Sequence, residues 1–382
     1  MKRNRPGAAS VAAFSTLIMS TMMCTAATAA IRTYYIAADE VNWDYMPGGA
    51  DKMGMDEDYA RFFATRGPHL IGPIYRKAIY RQYTDATFTR LKARSPRNAY
   101  LGILGPPIYA EVGDTIHVVF KNNTTHPCSV HPHGVFYDKA SEGSPYADGI
   151  PDSRKPGDSV APGATFTYVW QVPPRAGPGP DDPSSIVWLY HSHTMELQDV
   201  NSGLIGAIIV TRRGMALPDG KPKGVDRNIV ALFMFFDENN SWFLNQNIRT
   251  FTTDPAHVKK LEFAPVDPNG NFSFIGTGFA AQNFRGTING YQYADGPMIR
   301  IKKGEHVRWY LITVGEGANI HTPHWHGNTV LVRGHRTDVI LLGPASMITA
   351  DMQPDDPGIW AFHCHFSEHM RAGMETLYQV LP

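Results

Sequence analysis

Polar and apolar positions alternate along this chain over short stretches, and the apolar ones are mostly β-branched or aromatic. Thr115–Lys121, Thr165–Val172, Gly206–Thr211 and His306–Val314 are clear examples, and Gly, Pro and Asp separate them. Period-two alternation between turn signals predicts strands, and many such strands in succession predict a sandwich or barrel. Long helical periodicity is scarce. The chain therefore reads as all-β, and its 35 Gly and 29 Pro fit a turn-rich fold.

The first residues break the pattern. Lys2, Arg3 and Arg5 precede a run of small and apolar residues to about Cys24, and Ala27-Thr28-Ala29 is an A-x-A cleavage site. Residues 1–29 read as a signal peptide, so the protein is expected to be exported, to a periplasm or outside the cell. The run is too short and too Ser/Thr-rich for a membrane span, and no later run is long enough. Arg3-Asn4-Arg5 is not a twin-arginine pair.

The rest divides in two. Residues 30–215 form a first domain, 216–227 a polar Gly/Pro-rich linker, and 228–382 a second domain. The domains repeat each other. Gly113-Asp-Thr, Cys128-Ser-Val-His131-Pro-His133-Gly134 and Trp188-Leu-Tyr-His191-Ser-His193 answer to Gly304-Glu-His, His321-Thr-Pro-His324-Trp-His326-Gly327 and Trp360-Ala-Phe-His363-Cys364-His365. Order and spacing both match, which predicts two copies of one Greek-key β domain. Pro173–Pro183 reads as a surface insertion of the first copy.

Charge narrows the functional classes. Lys+Arg and Asp+Glu are both 35, and without residues 1–29 the balance is 32 basic against 35 acidic. Nucleic-acid binding needs a basic footprint and is not expected. Three cysteines exclude a disulfide-dense scaffold. The informative residue is histidine, 16 in all.

Four H-x-H pairs carry eight imidazoles. On a strand, residues i and i+2 share a face, so each pair can address one ion. Imidazole suits copper, zinc, iron and nickel. Cys364 lies between His363 and His365 and so faces the other way. His321, His369 and Met374 can gather around it, and Cys with two His and a weak axial Met is the blue-copper electron-transfer set. An electron reaching the Cys364 sulfur is then one residue from imidazoles that address the other metal group. Cys128 reads as a buried structural thiol, since a Cys128–Cys364 disulfide would consume the copper thiolate. Met46, Met53 and Met55 read as incidental loop methionines.

These residues resemble the multicopper oxidases. His363-Cys-His-Phe-Ser-Glu-His369-Met-Arg-Ala-Gly-Met374 and His321-x-x-His324-x-His326-Gly327 are similar to that family's C-terminal copper signatures. Tyr34-Tyr-Ile, Trp43-Asp-Tyr, Tyr83-Thr-Asp, Leu104-Gly-Pro, Ser202-Gly-Leu-Ile-Gly206 and Phe236-Asp-Glu-Asn resemble its ceruloplasmin branch, and two domains resemble the two-domain, small laccase-like members. The resemblance implies two cupredoxin-like Greek-key β-sandwich or barrel domains. It implies type 1 copper on His321, Cys364, His369 and Met374, type 2 copper on His131 and His324, and a coupled type 3 pair on His133, His191, His193, His326, His363 and His365. It also suggests Glu142 and Asp338 as proton-delivering carboxylates, Tyr137 as an added redox or hydrogen-bonding residue, and a modest potential from an axial Met374. In the first domain Cys128 stands where His321 stands and Ser192 where Cys364 stands, so no blue site is expected there.

The implied activity couples one-electron oxidation of a substrate to four-electron reduction of O₂ to water. The expected donor is a phenol or aromatic amine, laccase-like, with a metallo-oxidase of Fe(II) or Cu(I) as the alternative. Glu368, beside His369, stands where the ceruloplasmin branch has an iron-binding acid, but Ala281-Gln-Asn-Phe-Arg-Gly286 lacks the further Glu and His of that site. A copper nitrite reductase would carry its blue site in the first domain, and an electron shuttle has no use for eight further imidazoles. Because family clusters take two H-x-H pairs from each of two domains, a homotrimer is expected, each first domain facing its neighbour's second.

Overall fold

A computed structural model describes Met1, residues 29–315 and residues 320–382. The expected signal peptide lies almost wholly outside the described residues.

Strand predictions and strands agree closely. Thr115–Asn122, Thr165–Gln171, Ile205–Thr211 and Val307–Ile312 form where alternation predicts them. Along Thr115–Asn122 every second residue is buried, and Ile116, Val118 and Phe120 enter a core with Tyr168 and Trp170. The described helices are short, the longest being the eight-residue Glu57–Ala64 and Leu244–Phe251.

The first half packs two four-stranded sheets. One runs Ile74–Tyr83, Ile31–Asp44, Thr115–Asn122, Thr165–Gln171; the other runs Ile108–Glu111, Ile205–Thr211, Ser185–His191, His131–Pro132. The second half repeats this order. Phe284–Ile288, Arg227–Asp237, Val307–Ile312 and Met347–Met352 lead one sheet, which the Val330–Val332 and His335–Thr337 strands extend. Ile299–Lys302, Glu375–Leu381, Gly358–Cys364 and Pro323–Trp325 make the other. Even the parallel pairs correspond: Ile31–Asp44 with Thr115–Asn122 matches Arg227–Asp237 with Val307–Ile312, and Ile108–Glu111 with Ile205–Thr211 matches Ile299–Lys302 with Glu375–Leu381.

Between the halves, the linker folds into a tight turn held by Leu217 N–H to the Lys221 carbonyl and by the Thr211 hydroxyl to the Gly220 carbonyl. Arg227 already belongs to the next strand. The Pro173–Pro183 insertion is pinned rather than free, since the Trp188 indole donates to the Ala176 carbonyl and Arg212 to that of Gly179. Polar contacts weld the halves: the Tyr310 and Ser185 hydroxyls lie 2.7 Å apart, Arg308 donates to Ser184 at 2.8 Å, and fully buried Lys77 pairs with fully buried Glu238. The Tyr45 hydroxyl donates to Glu238 and the Asn201 carbonyl accepts from Lys77, support that a buried pair needs.

Candidate metal centre

Each H-x-H pair sits where a strand runs out into a loop. His131 and His191 are opposite one another across two antiparallel strands, and His324 and His363 hold the same relation in the second half. The glycine after each leading pair has a local cause. Gly134 and Gly327 have φ of 72° and 67°, and a Cβ would fall 2.0 Å from the Trp188 ring and 2.6 Å from that of Trp360. Only glycine turns the chain there while the tryptophan packs beneath.

Among the described residues three groups of ligand-type atoms result, each within 4.8 Å: His131, His133 and His191; His324, His326 and His363; His321, Cys364 and His369. His193 borders the first group, its ring 5.1 Å from that of His131, and His365 borders the second, 5.1 Å from His324. Among the described residues, no such group draws on both halves. His326 and His365 are exposed and His131, His133, His193 and His324 half-buried, so each histidine group opens outward.

Carbonyls orient the rings. His131 Nδ1 meets the Glu142 carbonyl at 2.7 Å, His191 Nδ1 that of Ser192 at 3.0 Å, and His363 Nδ1 that of Cys364 at 2.8 Å. Fixing Nδ1 as the donor leaves Nε2 as the free base that can bind a metal. Burial holds the His133 and His363 imidazoles down to about 4 and places His191 well below its ordinary range. They stay neutral and ready to ligate.

The third group is buried. His321 Nδ1 and His369 Nδ1 stand 3.2 Å apart, and Cys364 Sγ is 3.5 Å from His369 Nδ1. Met374 is fully buried beside them; its carbonyl accepts the Cys364 N–H and its own N–H donates to the His369 carbonyl. The Thr322 N–H points at the sulfur from 3.3 Å. Burial lowers His321 to about 3 and His369 to about 4, and raises the Cys364 thiol. Cys128 and Cys364 are both free thiols.

The remaining candidates divide. Asp338 Oδ2 approaches His324 Nε2 to 3.6 Å, and the Tyr137 ring lies 5.9 Å from that of His131. Glu142 meets the cluster through its carbonyl, while its carboxylate is taken by Lys139 at 2.6 Å and the Tyr146 hydroxyl at 2.9 Å. Glu368 accepts from the Ser273 hydroxyl at 2.9 Å and lies 3.6 Å from Arg371, which also pairs with Asp56 and Asp267 at 3.0 and 3.2 Å.

Two residues at the first half-cluster escape sequence reasoning. Fully buried Asp199 accepts the Ser192 hydroxyl at 2.5 Å, and burial raises its carboxyl to about 6. Glu196 reaches His193. The repeat held the signal: Glu196 and Asp199 follow His193 by the steps at which Glu368 and Arg371 follow His365.

Two family models, each described as multicopper oxidase, match residues 101–214 and 263–382. The chain belongs to the multicopper oxidase family. The chain is 40% identical over 354 residues to "Ferroxidase HEPHL1" of Homo sapiens, covering 91% of this chain and 29% of that protein. It is 37% identical over 370 residues to hephaestin of Mus musculus (95% and 30% covered) and 39% identical over 358 to ceruloplasmin of Ovis aries (92% and 32%). It thus spans less than a third of the length of these relatives. The crystal structure of a multicopper oxidase superposes with a TM-score of 0.55 at 21% identity, covering 92% of this chain and 89% of the other. The blue copper oxidase of Nitrosomonas europaea gives 0.53 at 19%, covering 92% and 86%. These structures establish the fold: two cupredoxin-like β domains.

Multicopper oxidases carry copper, and the donor chemistry here fits it. Imidazoles with fixed Nδ1 protons suit cupric ions, and a buried thiol with two imidazoles and a thioether suits the blue type.

Proposed function

We propose that this multicopper oxidase is an exported metallo-oxidase that takes electrons singly from Fe(II) and delivers them to O₂. The observation that carries this reading is the identity of 37–40% over more than nine-tenths of the chain to proteins named ferroxidase and hephaestin. It moves the balance away from the laccase-like expectation. The site adds support: Asp56, Asp267 and Glu368 surround Arg371 two residues beyond His369, three carboxylates against one guanidinium. Such an excess of negative charge draws cations rather than neutral phenols.

In this reading His321, Cys364, His369 and Met374 hold the mononuclear copper. His131 and His324 hold the type 2 ion, and His133, His191, His193, His326, His363 and His365 hold the coupled pair. Bound copper supplies one-electron exchange and O₂ reduction. The protein fixes the imidazoles through backbone carbonyls and places Asp338 within reach of His324, where a carboxylate can pass protons.

We also infer a homotrimer. The two half-clusters lie apart in one chain, and each faces outward. Val339, paired with His324, and Leu341 are 39% and 67% exposed beside the second half-cluster. Apolar side chains at the rim of an incomplete site suit a face that another chain covers. A head-to-tail contact of first half on second half closes as a ring.

Oxygen uptake by the copper-loaded protein, compared between Fe(II), Cu(I) and a phenol, tests the substrate. Fe(II) should give the highest kcat/KM; a phenol exceeding Fe(II) would return the laccase reading.

A further inference from the structure

The carboxylate of Glu196 lies at the open mouth of the first half-cluster. Its Oε2 is 3.2 Å from His193 Nε2 and its Oε1 4.0 Å from His191 Nε2. These are the ring atoms left free for an ion. His191 Nδ1 is engaged by the Ser192 carbonyl, and His193 Nδ1 lies 3.2 Å from the Ser144 hydroxyl. His133 Nε2 joins them, 3.2 Å from His191 Nε2. Donors that each stand about 2.0–2.1 Å from a first-row ion are separated by about 2.9–3.3 Å when their bonds diverge by about 90–109°. Two pairs, His133 with His191 and His193 with Glu196, have that separation, while the donors already gathered within 4.8 Å are His131, His133 and His191, so capture on the two pairs draws His193 and Glu196 in toward the others.

The second half shows why Glu196 is available. Glu368, at the same step of the repeat, is drawn to Ser273 and Arg371. In the first half, Asp199 stands in the place of Arg371 and is committed to Ser192. Glu196 turns to the imidazoles instead, and its side chain is half exposed, within reach of an ion arriving from solvent. Three imidazoles and one carboxylate make the N,O donor set that Cu(II) favours.

We propose that Glu196 is a fourth donor of the first half-cluster, so that one chain captures a cupric ion on His133, His191, His193 and Glu196 before a second half closes over it. This rests on the assignment of the first histidine set to copper. The full-length protein serves for the test, metal-free, in a Cys364→Ser/His324→Ala/His363→Ala background that disables the other two groups. Cu(II) is titrated against a competing chelator and its electron paramagnetic spectrum recorded. Glu196→Gln should weaken binding by about tenfold or more, and shift the spectrum toward an all-nitrogen environment. Glu196→Asp should fall between. His193→Ala is the control. If it weakens binding while Glu196→Gln binds as tightly as the parent or more tightly, the carboxylate is not a donor and the proposal fails alone. If His193→Ala also leaves binding unchanged, the histidine assignment fails with it. Thermal unfolding of the metal-free variants checks that the isosteric Gln change leaves the fold intact.

Discussion

His363 donates its Nδ1 proton to the carbonyl of Cys364 at 2.8 Å, while the two side chains leave the strand on opposite faces. One residue thus serves two ligand-type groups: the Cys364 side chain enters the buried pocket with His321 and His369, and its carbonyl orients an imidazole of the group with His324 and His326. Removing the sulfur leaves that carbonyl in place. Cys364→Ser should therefore abolish the intense visible band and one copper per chain, while the near-ultraviolet shoulder of the coupled pair persists. A variant that stayed blue would refute the ligand set.

The two candidate proton carriers are not equivalent. Asp338 presents its carboxylate to His324, whereas that of Glu142 is held by Lys139 and Tyr146. Asp338→Asn should slow O₂ reduction by at least about tenfold with copper content unchanged and an altered pH–rate profile. Glu142→Gln should do less. The reverse order would show that Glu142 is released from Lys139 in the assembled enzyme.

Glu368 sits with Arg371, Asp56 and Asp267 beside His369. If this acidic group recruits the metal substrate, Glu368→Gln should raise KM for Fe(II) several-fold with little change in kcat. KM for a neutral phenol should not move. Equal changes for both substrates would mean a disturbed copper site instead.

The copper-free protein should be acid-sensitive. His321 is held at about 3, and His133, His363 and His369 at about 4, chiefly by burial. In the unfolded chain, histidines take up protons from about pH 6.5 downward. Between those limits the unfolded state binds more protons, so stability falls as pH falls through that window. Glu375 acts oppositely. Burial, with Asp51 and Asp56, lifts its carboxyl to about 8, so it lowers stability as pH rises from the ordinary carboxylate range toward 8. Thermal scans should show Tm dropping from pH 6.5 to 4.5, less in His321→Ala/His369→Ala. Glu375→Gln should raise Tm at pH 8 more than at pH 5.

Subunit sharing of the cluster is testable by complementation. An inactive His131→Ala/His191→Ala chain mixed with an inactive His324→Ala/His363→Ala chain should regain partial activity after reassembly. Native mass measurement should give three chains, and copper removal should loosen them. An active, copper-loaded monomer would end the trimer proposal.

Much of this was legible beforehand because duplication made the sequence its own alignment. The H-x-H pairs, the central Cys364 and the matching strand order all follow from period-two geometry repeated in two halves. What could not be read was the partner of each polar side chain. Nothing local says that the Glu142 carboxylate turns to Lys139 while its carbonyl holds His131, since residues 139 to 146 fold back on themselves. Ser192 announced a missing thiolate, but Asp199, which accepts its hydroxyl, is seven residues away across a turn. The apolar rim of Val339 and Leu341 also reads as ordinary strand until its neighbours are known.

The separation of the half-clusters within one chain also sets a rule of dosage. If each cluster borrows its halves from two chains, a subunit damaged in one half silences one cluster and still completes its neighbour's. A subunit damaged in both halves spoils two. In a mixed population, working clusters would fall in proportion to the first kind of subunit but with the square of the intact fraction for the second. Under that arrangement damage confined to one face would be shared out, whereas damage to both faces would be dominant over the intact copies around it.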